Sequence, residues 1–231
     1  MGGVLVLRLD NVHASLGAFA ITADVDIKHP QRIAILGPSG GGKSTFLNLI
    51  AGFVEPRVGT VFWNDTDMPL YPGDRPISML FQDNNVFPHL TVFQNVGLGL
   101  RPSLRLSLAE KDSIATALHR VGLQGKEDAH PADLSGGQQS RIALARVLVQ
   151  DNPILLLDEP FAALGPALKR DLLDEVISIS QDKTVLMVTH DPEDAKAFAD
   201  QVIFVADGQV RDPMGVDEIF ANPPAAFKDY L

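Results

Sequence analysis

The stretch from Gly37 to Thr45 constrains this chain more than any other part of its sequence. An apolar run, Ile33–Leu36, precedes it, and a helical pattern, Phe46–Ala51, follows it. A glycine-rich loop that joins a strand to a helix and ends in Lys-Ser is the P-loop pattern in the context it requires. Its glycines allow backbone amides to approach phosphate oxygens, and the helix N-terminus adds a partial positive charge. The sequence therefore predicts a nucleoside triphosphate site formed by Gly37, Pro38, Ser39, Gly40, Gly41, Gly42, Lys43, Ser44 and Thr45.

Two residues of this loop have separate predicted roles. Lys43 is expected to reach the β- and γ-phosphates, and Ser44 is expected to hold Mg²⁺. The purely structural alternative is a glycine-rich turn followed by an accidental Lys-Ser. The flanking strand and helix favour the nucleotide site.

Composition narrows the class of protein. The 231 residues are 45% hydrophobic and carry a formal charge of −10, which is ordinary for a globular chain and argues against nucleic-acid binding. Cysteine is absent, which excludes disulfides and thiolate metal sites. We find no signal-peptide pattern and no apolar run of the roughly 18 residues that a membrane helix needs. If the protein works at a membrane, we expect another chain to span it.

The strand patterns are of two kinds. Partly alternating runs predict an antiparallel sheet beside the P-loop strand, at Val4–Leu9, Phe19–Ile27 and Val58–Trp63. Continuous apolar runs predict strands buried on both faces, at Ile77–Phe81, Ile154–Leu157, Val185–Val188 and Val202–Ala206. We therefore expect an α/β fold: a P-loop NTPase core with a mostly parallel sheet, an antiparallel β subdomain and an inserted helical subdomain.

The insertion lies where helical patterns replace strands, at Thr91–Leu100, Leu108–Val121 and Ser135–Gln150. We expect one domain over residues 1–231. Residues 1–86 and 153–220 would form the β subdomain and the core, and residues 87–152 the helical subdomain. Residues 221–231 would be a loosely packed tail with a short helix.

Two adjacent carboxylates, Asp158 and Glu159, end the apolar run Ile154–Leu157. A buried carboxylate pair is costly unless it serves a cation or a proton transfer. At the carboxyl end of a parallel strand beside a P-loop, Asp158 fits a Mg²⁺ ligand, and Glu159 fits the residue that polarises the attacking water. A polar turn after a strand is the structural alternative.

A second glycine pair opens a predicted helix. Ser135 and Gln138 match a capping box, which is a common structural feature. A capping box does not explain Gly136 and Gly137 in the first turn, because glycine is a poor helix former. Bare amides at a helix N-terminus can bind an anion, so the pair indicates a second anion site. Two phosphate sites in one chain suggest that each ATP is shared by two copies of the protein. The stretch is Leu134, Ser135, Gly136, Gly137 and Gln138.

The order of these motifs, together with Gln82 after a strand and His190 after Val188-Thr189, resembles that of the ATP-binding-cassette (ABC) ATPases over nearly the whole chain. The resemblance implies a nucleotide-sandwich homodimer that hydrolyses ATP with Mg²⁺. It implies that Ser135 and Gly137 contact the γ-phosphate held by the other copy. Gln82 would contact Mg²⁺ or the lytic water, and His190 would contact the γ-phosphate and position Glu159. We call Leu134–Gln138 the signature segment.

A narrower resemblance lies in Arg75–Thr91, Asn95–Leu100 and Asn48–Phe53, which are similar to the ATP-binding subunits of bacterial thiamine importers. It implies transmembrane permease subunits as partners, a periplasmic solute-binding protein reached through them, and a peripheral position on the cytoplasmic face of the inner membrane. Importers of iron, polyamines or sulfate have ATPases with the same motifs. Many of those ATPases carry a further C-terminal regulatory domain. We expect none here, because the sequence stops soon after the run Val202–Ala206, and this mildly favours thiamine.

The sequence departs from the ABC pattern at two places. Gly165 stands where the family has an Asp that couples the two ATP sites, which keeps a weakly active nucleotide switch as an alternative function. Near the N-terminus the family stacks adenine on an aromatic residue, and here Leu16 lies close to that point. Phe19 or His13 could serve instead, and the sequence does not choose between them. A soluble ABC ATPase of DNA repair or translation is disfavoured, because no long coiled-coil insertion, second cassette or basic face is visible.

Overall fold

The chain forms two compact units. The computed structural model describes residues 6–83, 85–162, 164–223 and 225–228. The first unit takes the described residues within 1–77, 153–159 and 180–231, and the second takes those within 78–152 and 160–179. The subdomain bounds drawn from the sequence stay a prediction. The helix that follows Glu159 groups with the helical stretch rather than with the first unit.

The strands and helices follow the predicted patterns closely. The strands are β1 (Val6–Leu16), β2 (Phe19–Lys28), β3 (Gln31–Leu36), β4 (Val58–Trp63), β5 (Thr66–Asp67), β6 (Ile77–Leu80), β7 (Ile154–Asp158), β8 (Thr184–Val188), β9 (Gln201–Ala206), β10 (Gln209–Val210) and β11 (Met214–Gly215). The helices are α1 (Lys43–Ala51), α2 (Val92–Gly97), α3 (Leu108–Arg120), α4 (Gly136–Leu148), α5 (Pro166–Ile179), α6 (Pro192–Phe198), α7 (Val216–Ala221) and α8 (Ala225–Lys228), with 3₁₀ turns at Pro72–Asp74 and Pro131–Asp133.

A parallel group of strands forms the centre of the first unit. The strands of this unit are hydrogen-bonded in the order β5-β4-β1-β2-β10-β9-β3-β8-β7. Four of them, β9, β3, β8 and β7, run parallel and form the central group. Every residue of β7 and β8 is buried, as their continuous apolar sequences predict. The mixed sheet with a parallel core confirms the predicted fold class. It also brings the chain after β3, β7 and β8 to one edge of the sheet, where α/β proteins bind ligands.

The antiparallel part is larger than the sequence suggests. β1 pairs with β2 and with β4, as expected, but it continues to Leu16 instead of ending at Leu9. The register shifts between Leu9 and Val12, and Asn11 has φ 45°. This bulge carries the strand through Asp10-Asn11, a pair that reads as a strand end. Val4 and Leu5, part of the predicted strand, lie outside the described residues.

The second unit is largely helical, as predicted for the insertion. Its helices α2, α3 and α4 pack on one another, and each begins with a reciprocal capping box. Ser and Thr accept a hydrogen bond from the amide three residues later, and the Gln or Glu there bonds back, so the first turn is satisfied locally. The N-caps are Thr91, Ser107 and Ser135.

Helix α8 is anchored by a buried ring, whereas its sequence led us to expect part of a loosely packed tail. Phe227 of α8 is fully buried and meets Phe204 of β9 and Phe220 of α7 edge to face, with centroids 5.1 and 5.6 Å apart. Aromatic pairs at this separation add to the hydrophobic gain of burial. Throughout the described ranges, no helix combines the length and apolar character required to cross a membrane.

Candidate active site

The P-loop connects β3 to α1 and is fastened to the end of β9. A Cβ at Gly37 would lie 1.9 Å from the carbonyl oxygen of Val205, and one at Gly41 would lie 2.9 Å from the same atom. The amide of Gly208 also donates to the carbonyl of Gly41 at 3.0 Å. At Gly40 a Cβ would meet no atom within 4 Å. Two of the glycines therefore serve close packing of the loop on protein backbone, a reason that the motif alone does not reveal.

Lys43 begins α1 and is 8% exposed. Its Nζ donates to the carbonyl oxygens of Gly37 at 2.8 Å and Pro38 at 3.0 Å, so the ammonium is held beneath the loop. Burial lowers the pKa of Lys43, while the carboxylates of Glu159 and Asp158 act in the opposite direction. A partly desolvated ammonium at a helix N-terminus is well placed for an anion, which would replace the solvation lost on folding.

Ser44 and Asp158 bring two side-chain oxygens together by a direct hydrogen bond. Asp158, the last residue of β7, is 6% exposed, and its Oδ1 accepts a hydrogen bond of 3.1 Å from Ser44 Oγ. Burial raises the pKa of Asp158 and the charge of Glu159 adds to the effect, while the bond from Ser44 and the charge of Lys43 oppose it. This carboxylate would gain by meeting a cation.

The chemistry of this pair fits Mg²⁺. A hydroxyl and a carboxylate are hard oxygen ligands, and Mg²⁺ often keeps water and substrate phosphate oxygens in the rest of its shell. Within the part of the chain that the structure describes, no group of three or more His, Asp or Glu is suited to a metal ion. An ion held by Ser44 and Asp158 would therefore need further ligands other than His, Asp or Glu side chains, such as phosphate oxygens and water.

Glu159 is held in an unusual backbone conformation. Its φ is 47°, in the left-handed region that a non-glycine residue seldom adopts, and its amide donates to the carbonyl of Val188 at 3.2 Å. Strain of this kind costs of order 1–3 kcal/mol and persists where the surroundings fix it, often at functional sites. The turn directs the side chain towards His190, whose Nδ1 lies 3.6 Å from Glu159 Oε2.

The segment that carries His190 is anchored by its neighbours. Thr189 is buried, donates to Asp194 at 3.0 Å and accepts a bond from the amide of Asp191 at 3.1 Å. Asp191 in turn caps α6 by accepting a bond from the amide of Glu193. The His190 side chain is 64% exposed. The hydrogen bonds of Thr189 and Asp191 therefore fix the backbone on either side of a histidine that faces solvent next to Glu159. The first unit thus brings together Lys43, Ser44, Asp158, Glu159 and His190.

Gln82 and the signature segment belong to the second unit, where Ser135 and Gly136 are exposed and Leu134 is buried. Gln82 follows β6, as predicted, and is exposed in the turn there. Ser135 caps α4, with Gln138 N to Ser135 Oγ at 3.3 Å and Ser135 N to Gln138 Oε1 at 3.0 Å. A Cβ at Gly136 would meet nothing within 4 Å, so its side of the helix end is open to a ligand. A Cβ at Gly137 would lie 2.5 Å from Leu168 Cδ2, so this glycine also serves packing against α5.

Two residues near the P-loop helix add to what the sequence indicates. A Cβ at Gly42 would lie 2.9 Å from Cζ of Phe19, so the Phe19 ring contacts the loop directly. Of the other two candidates for contact with the base, Leu16 is 59% exposed and His13 bonds to Asn11. The contact of its ring with the P-loop favours Phe19 over Leu16 and His13 as the residue that stacks on the base.

Arg75 has a structural role that the sequence does not indicate. It is 7% exposed, and its Nη1 donates to the carbonyls of Leu49 at 3.1 Å and Ile50 at 2.5 Å, in the last turn of α1. Nε donates to the carbonyl of Pro69 at 2.7 Å. A cation at the carboxyl end stabilises the helix whose amino end faces the P-loop. No local pattern marks this role, because the partner carbonyls lie some 25 residues earlier in the chain.

Gly165 departs from the ABC pattern without a steric cause. A Cβ there would meet nothing within 4 Å, and the carbonyl of Gly165 accepts the first helical bond of α5, from Lys169. Position 165 therefore has room for a side chain, including an Asp, which is a better N-cap than glycine.

A family model described as "ABC transporter" matches residues 22–162, which include the P-loop, the signature segment and Glu159. The chain belongs to the ABC transporter family. This ABC cassette binds and hydrolyses ATP, as the family does. The thiamine import ATP-binding protein ThiQ of Cereibacter sphaeroides is 53% identical over 229 residues, which cover 98% of this chain and 99% of that protein. The protein of the same name from Brucella suis is 49% identical, with 97% of this chain and 95% of that protein covered.

Solved structures agree with the fold. MJ0796, a bacterial ABC transporter cassette with a dimeric structure, is 32% identical, with a TM-score of 0.77 over 92% of this cassette and 98% of that chain. CbiO1 of Clostridium perfringens, part of the transporter complex cbiONQ, is 27% identical, with a TM-score of 0.81 over 95% and 92% of the two chains.

The raised pKa of Asp158 predicts a trade between stability and activity. Asp158→Asn removes a buried charge, so we expect it to raise the melting temperature of the nucleotide-free cassette at pH 7 and to abolish ATP hydrolysis. The pKa of Asp158 in the folded state lies above the unfolded value of about 3.9. As pH falls from the folded-state pKa towards the unfolded one, Asp158 becomes protonated, and the wild type regains stability relative to the variant. Thermal unfolding between pH 4 and pH 8, where the gap should narrow towards low pH, measures it.

Asp200→Asn is the matched control. Burial alone would raise the pKa of Asp200, but hydrogen bonds from Arg32 prevail and lower it. The stabilisation by this ion pair is present above the ordinary pKa and is lost as pH falls through the folded-state value. Asp200→Asn should therefore lower the melting temperature at pH 7. A lowered melting temperature for Asp158→Asn as well would contradict our account of Asp158.

Proposed function

We propose that this cassette is the ATP-hydrolysing subunit of a bacterial thiamine importer. The observation that carries the proposal is the match to thiamine import ATP-binding proteins at about half identity over nearly the full length of both chains. The similarity includes the segments around Gln82, where importers of this family meet their permease. Thiamine itself would touch the permease and a periplasmic binding protein, and not this subunit.

The first unit supplies the chemistry of hydrolysis. Lys43 and the P-loop amides would hold the β- and γ-phosphates, and Ser44 and Asp158 would hold Mg²⁺, which offsets the charge that develops on the phosphate oxygens. Glu159 would accept a proton from the attacking water. His190, 3.6 Å from Glu159, would fix the carboxylate in place and donate to the γ-phosphate. The φ of 47° at Glu159 supports this role, because the strain directs one side chain towards one point.

The second unit supplies the other half of the site, to a second copy. Gly136 is open at the N-terminus of α4, and the Ser135 hydroxyl lies at the same end. A γ-phosphate held by the P-loop of the partner would meet these donors in a nucleotide-sandwich homodimer. Gln82 would sense the bound Mg²⁺ or the lytic water.

A groove in the second unit suits the permease. It holds about 460 Å³ and is lined by the residues on either side of Gln82 and by the end of α4. Phe87, at its rim, is 42% exposed. We propose that a cytoplasmic helix of the permease docks here, which would hold the cassette peripherally on the cytoplasmic face of the inner membrane.

The alternative of a weakly active nucleotide switch rests on Gly165. The open space at this position means that packing does not require glycine. Asp158 and Glu159 both remain, which favours turnover.

Glu159→Gln should reduce ATP turnover by about 10²- to 10⁴-fold, because the amide cannot accept the proton of the attacking water. Binding of ATP should remain, since Lys43 and Ser44 are unchanged. Steady-state hydrolysis and equilibrium nucleotide binding measure the two effects. Glu193→Gln, on the exposed start of α6 in the same unit, is the control. Equal turnover in Glu159→Gln and wild type would remove Glu159 from the mechanism.

Ser135→Arg should abolish turnover and largely spare ATP binding, because it blocks the end of α4 that faces the nucleotide of the partner. Ser107→Arg is a matched control, since Ser107 caps α3 with the same reciprocal geometry. Both variants lose a cap worth about 1 kcal/mol. Turnover measured at equal folded fraction should fall only in Ser135→Arg, and normal turnover there would refute the shared site.

An uptake assay identifies the transported solute. Proteoliposomes that contain this cassette, its cognate permease and the cognate binding protein should accumulate labelled thiamine when ATP is present on the cytoplasmic side. The Glu159→Gln complex should show no uptake. Excess unlabelled thiamine should compete, whereas polyamine, ferric iron and sulfate should not. Uptake of one of those solutes in place of thiamine would overturn the assignment.

A further inference from the structure

Asn95 of α2 is a fully buried amide that fastens the stretch after Gln82. Its Nδ2 donates to the carbonyls of Phe87, Leu90 and Thr91 at 2.9, 3.1 and 3.0 Å. Its Oδ1 accepts a bond of 2.9 Å from the amide of Phe87. A buried amide with both ends satisfied rigidifies the backbone around it. One side chain therefore fixes the path from Phe87 to Thr91 on α2.

Arg146, near the end of α4, completes this arrangement. Nε donates to the Asn95 carbonyl at 2.9 Å, and Nη2 donates to Asn95 Oδ1 at 2.8 Å. Nη1 donates to the carbonyl of Asn85 at 2.8 Å, and the guanidinium carbon lies 5.4 Å from the centroid of the Phe87 ring. The planar fork thus reaches two segments at once, a geometry that lysine cannot reproduce. We call Asn95 and Arg146 the clamp.

The backbone of α4 is also close-packed at this point. A Cβ at Gly99 would lie 2.3 Å from the carbonyl oxygen of Arg146. The turn after α2 can approach α4 this closely only because residue 99 is glycine. The end of α4 is therefore fixed on α2 by side-chain hydrogen bonds and by backbone packing together.

The two ends of α4 carry different features. Its first turn holds the signature segment, and its last turn holds Arg146, ten residues after Gly136 and so about 15 Å along a rigid helix. Asn85, Phe87 and Arg146 all line the groove proposed for the permease. The clamp thus joins one wall of the groove to the helix that presents Ser135.

We propose that Asn95 and Arg146 are positioning residues that make the groove and the signature segment move as one body. A partner that presses on the groove then sets the place of Ser135 and Gly136 through α4. This inference rests on the proposed function, because it assumes a permease in the groove. It assigns to two residues, neither of which would touch nucleotide, the transmission of the partner's position to the ATP site.

Arg146→Met, tested in the assembled complex, separates transmission from folding. Basal turnover of the isolated cassette and its affinity for ATP should stay unchanged, because α4 and its cap remain. Stimulation of turnover by the permease in proteoliposomes should fall by about tenfold, within the usual range of coupling between sites. Arg146→Lys keeps the charge and is the better-folded second variant, and it should show the same split with a smaller loss.

Arg141→Met is the matched control on the same helix. Arg141 also donates to a backbone carbonyl, that of Val121 at 3.0 Å, but this carbonyl lies at the end of α3 and away from the groove. Its loss should leave stimulation intact.

The outcomes are distinct. Loss of stimulation at constant basal turnover, ATP affinity and permease binding supports the clamp, whereas a loss that follows weaker permease binding overturns it. An unchanged stimulation, or an equal fall of basal and stimulated turnover in both Arg146 variants, overturns it. A wild-type cassette that the permease does not stimulate defeats the proposed function itself.

Discussion

The structure depends on charges buried at the carboxyl edge of the parallel sheet. Lys43 and Asp158 are each more than nine-tenths buried. Burial lowers the pKa of Lys43 and raises that of Asp158, so in both cases it favours the neutral form. Ser44 and the carbonyls of the P-loop compensate part of the desolvation. A magnesium nucleotide would compensate the remainder, because it supplies anions to the lysine and a cation to the aspartate. The site is thus less stable than an apolar core and is prepared for its ligand.

Much of the fold and of the site could be predicted because the relevant signals are local. Continuous apolar runs identify buried parallel strands, and the P-loop, Asp158-Glu159 and the capped signature segment each occupy a few adjacent residues. Features that depend on distant partners could not be predicted. β1 continues through a bulge at Asn11, Phe227 is buried against an aromatic pair, and Arg75 caps a helix far back in the chain. The strained φ of Glu159 has no sequence signal at all.

The glycines show how one motif can meet two demands. Gly37 and Gly41 are required by contact with the backbone of Val205, whereas Gly137 lies against the movable end of the Leu168 side chain. Gly136 and Gly40 have open space beside them and are free to face a phosphate. In both glycine-rich segments, some glycines pack closely against the protein, and others leave open space where we propose that a phosphate binds. Each unit holds one such segment, and in the proposed sandwich a second copy of the chain would complete both sites.

Complementation between two inactive variants tests this shared site most directly. Lys43→Met damages the P-loop and Ser135→Arg damages the signature segment, so each variant alone should be inactive. A mixed dimer would contain one site with both halves intact. Random pairing makes about half of the dimers mixed, so equal amounts should restore about a quarter of wild-type turnover. Turnover of the mixture that stays at the sum of the separate variants would contradict the shared site.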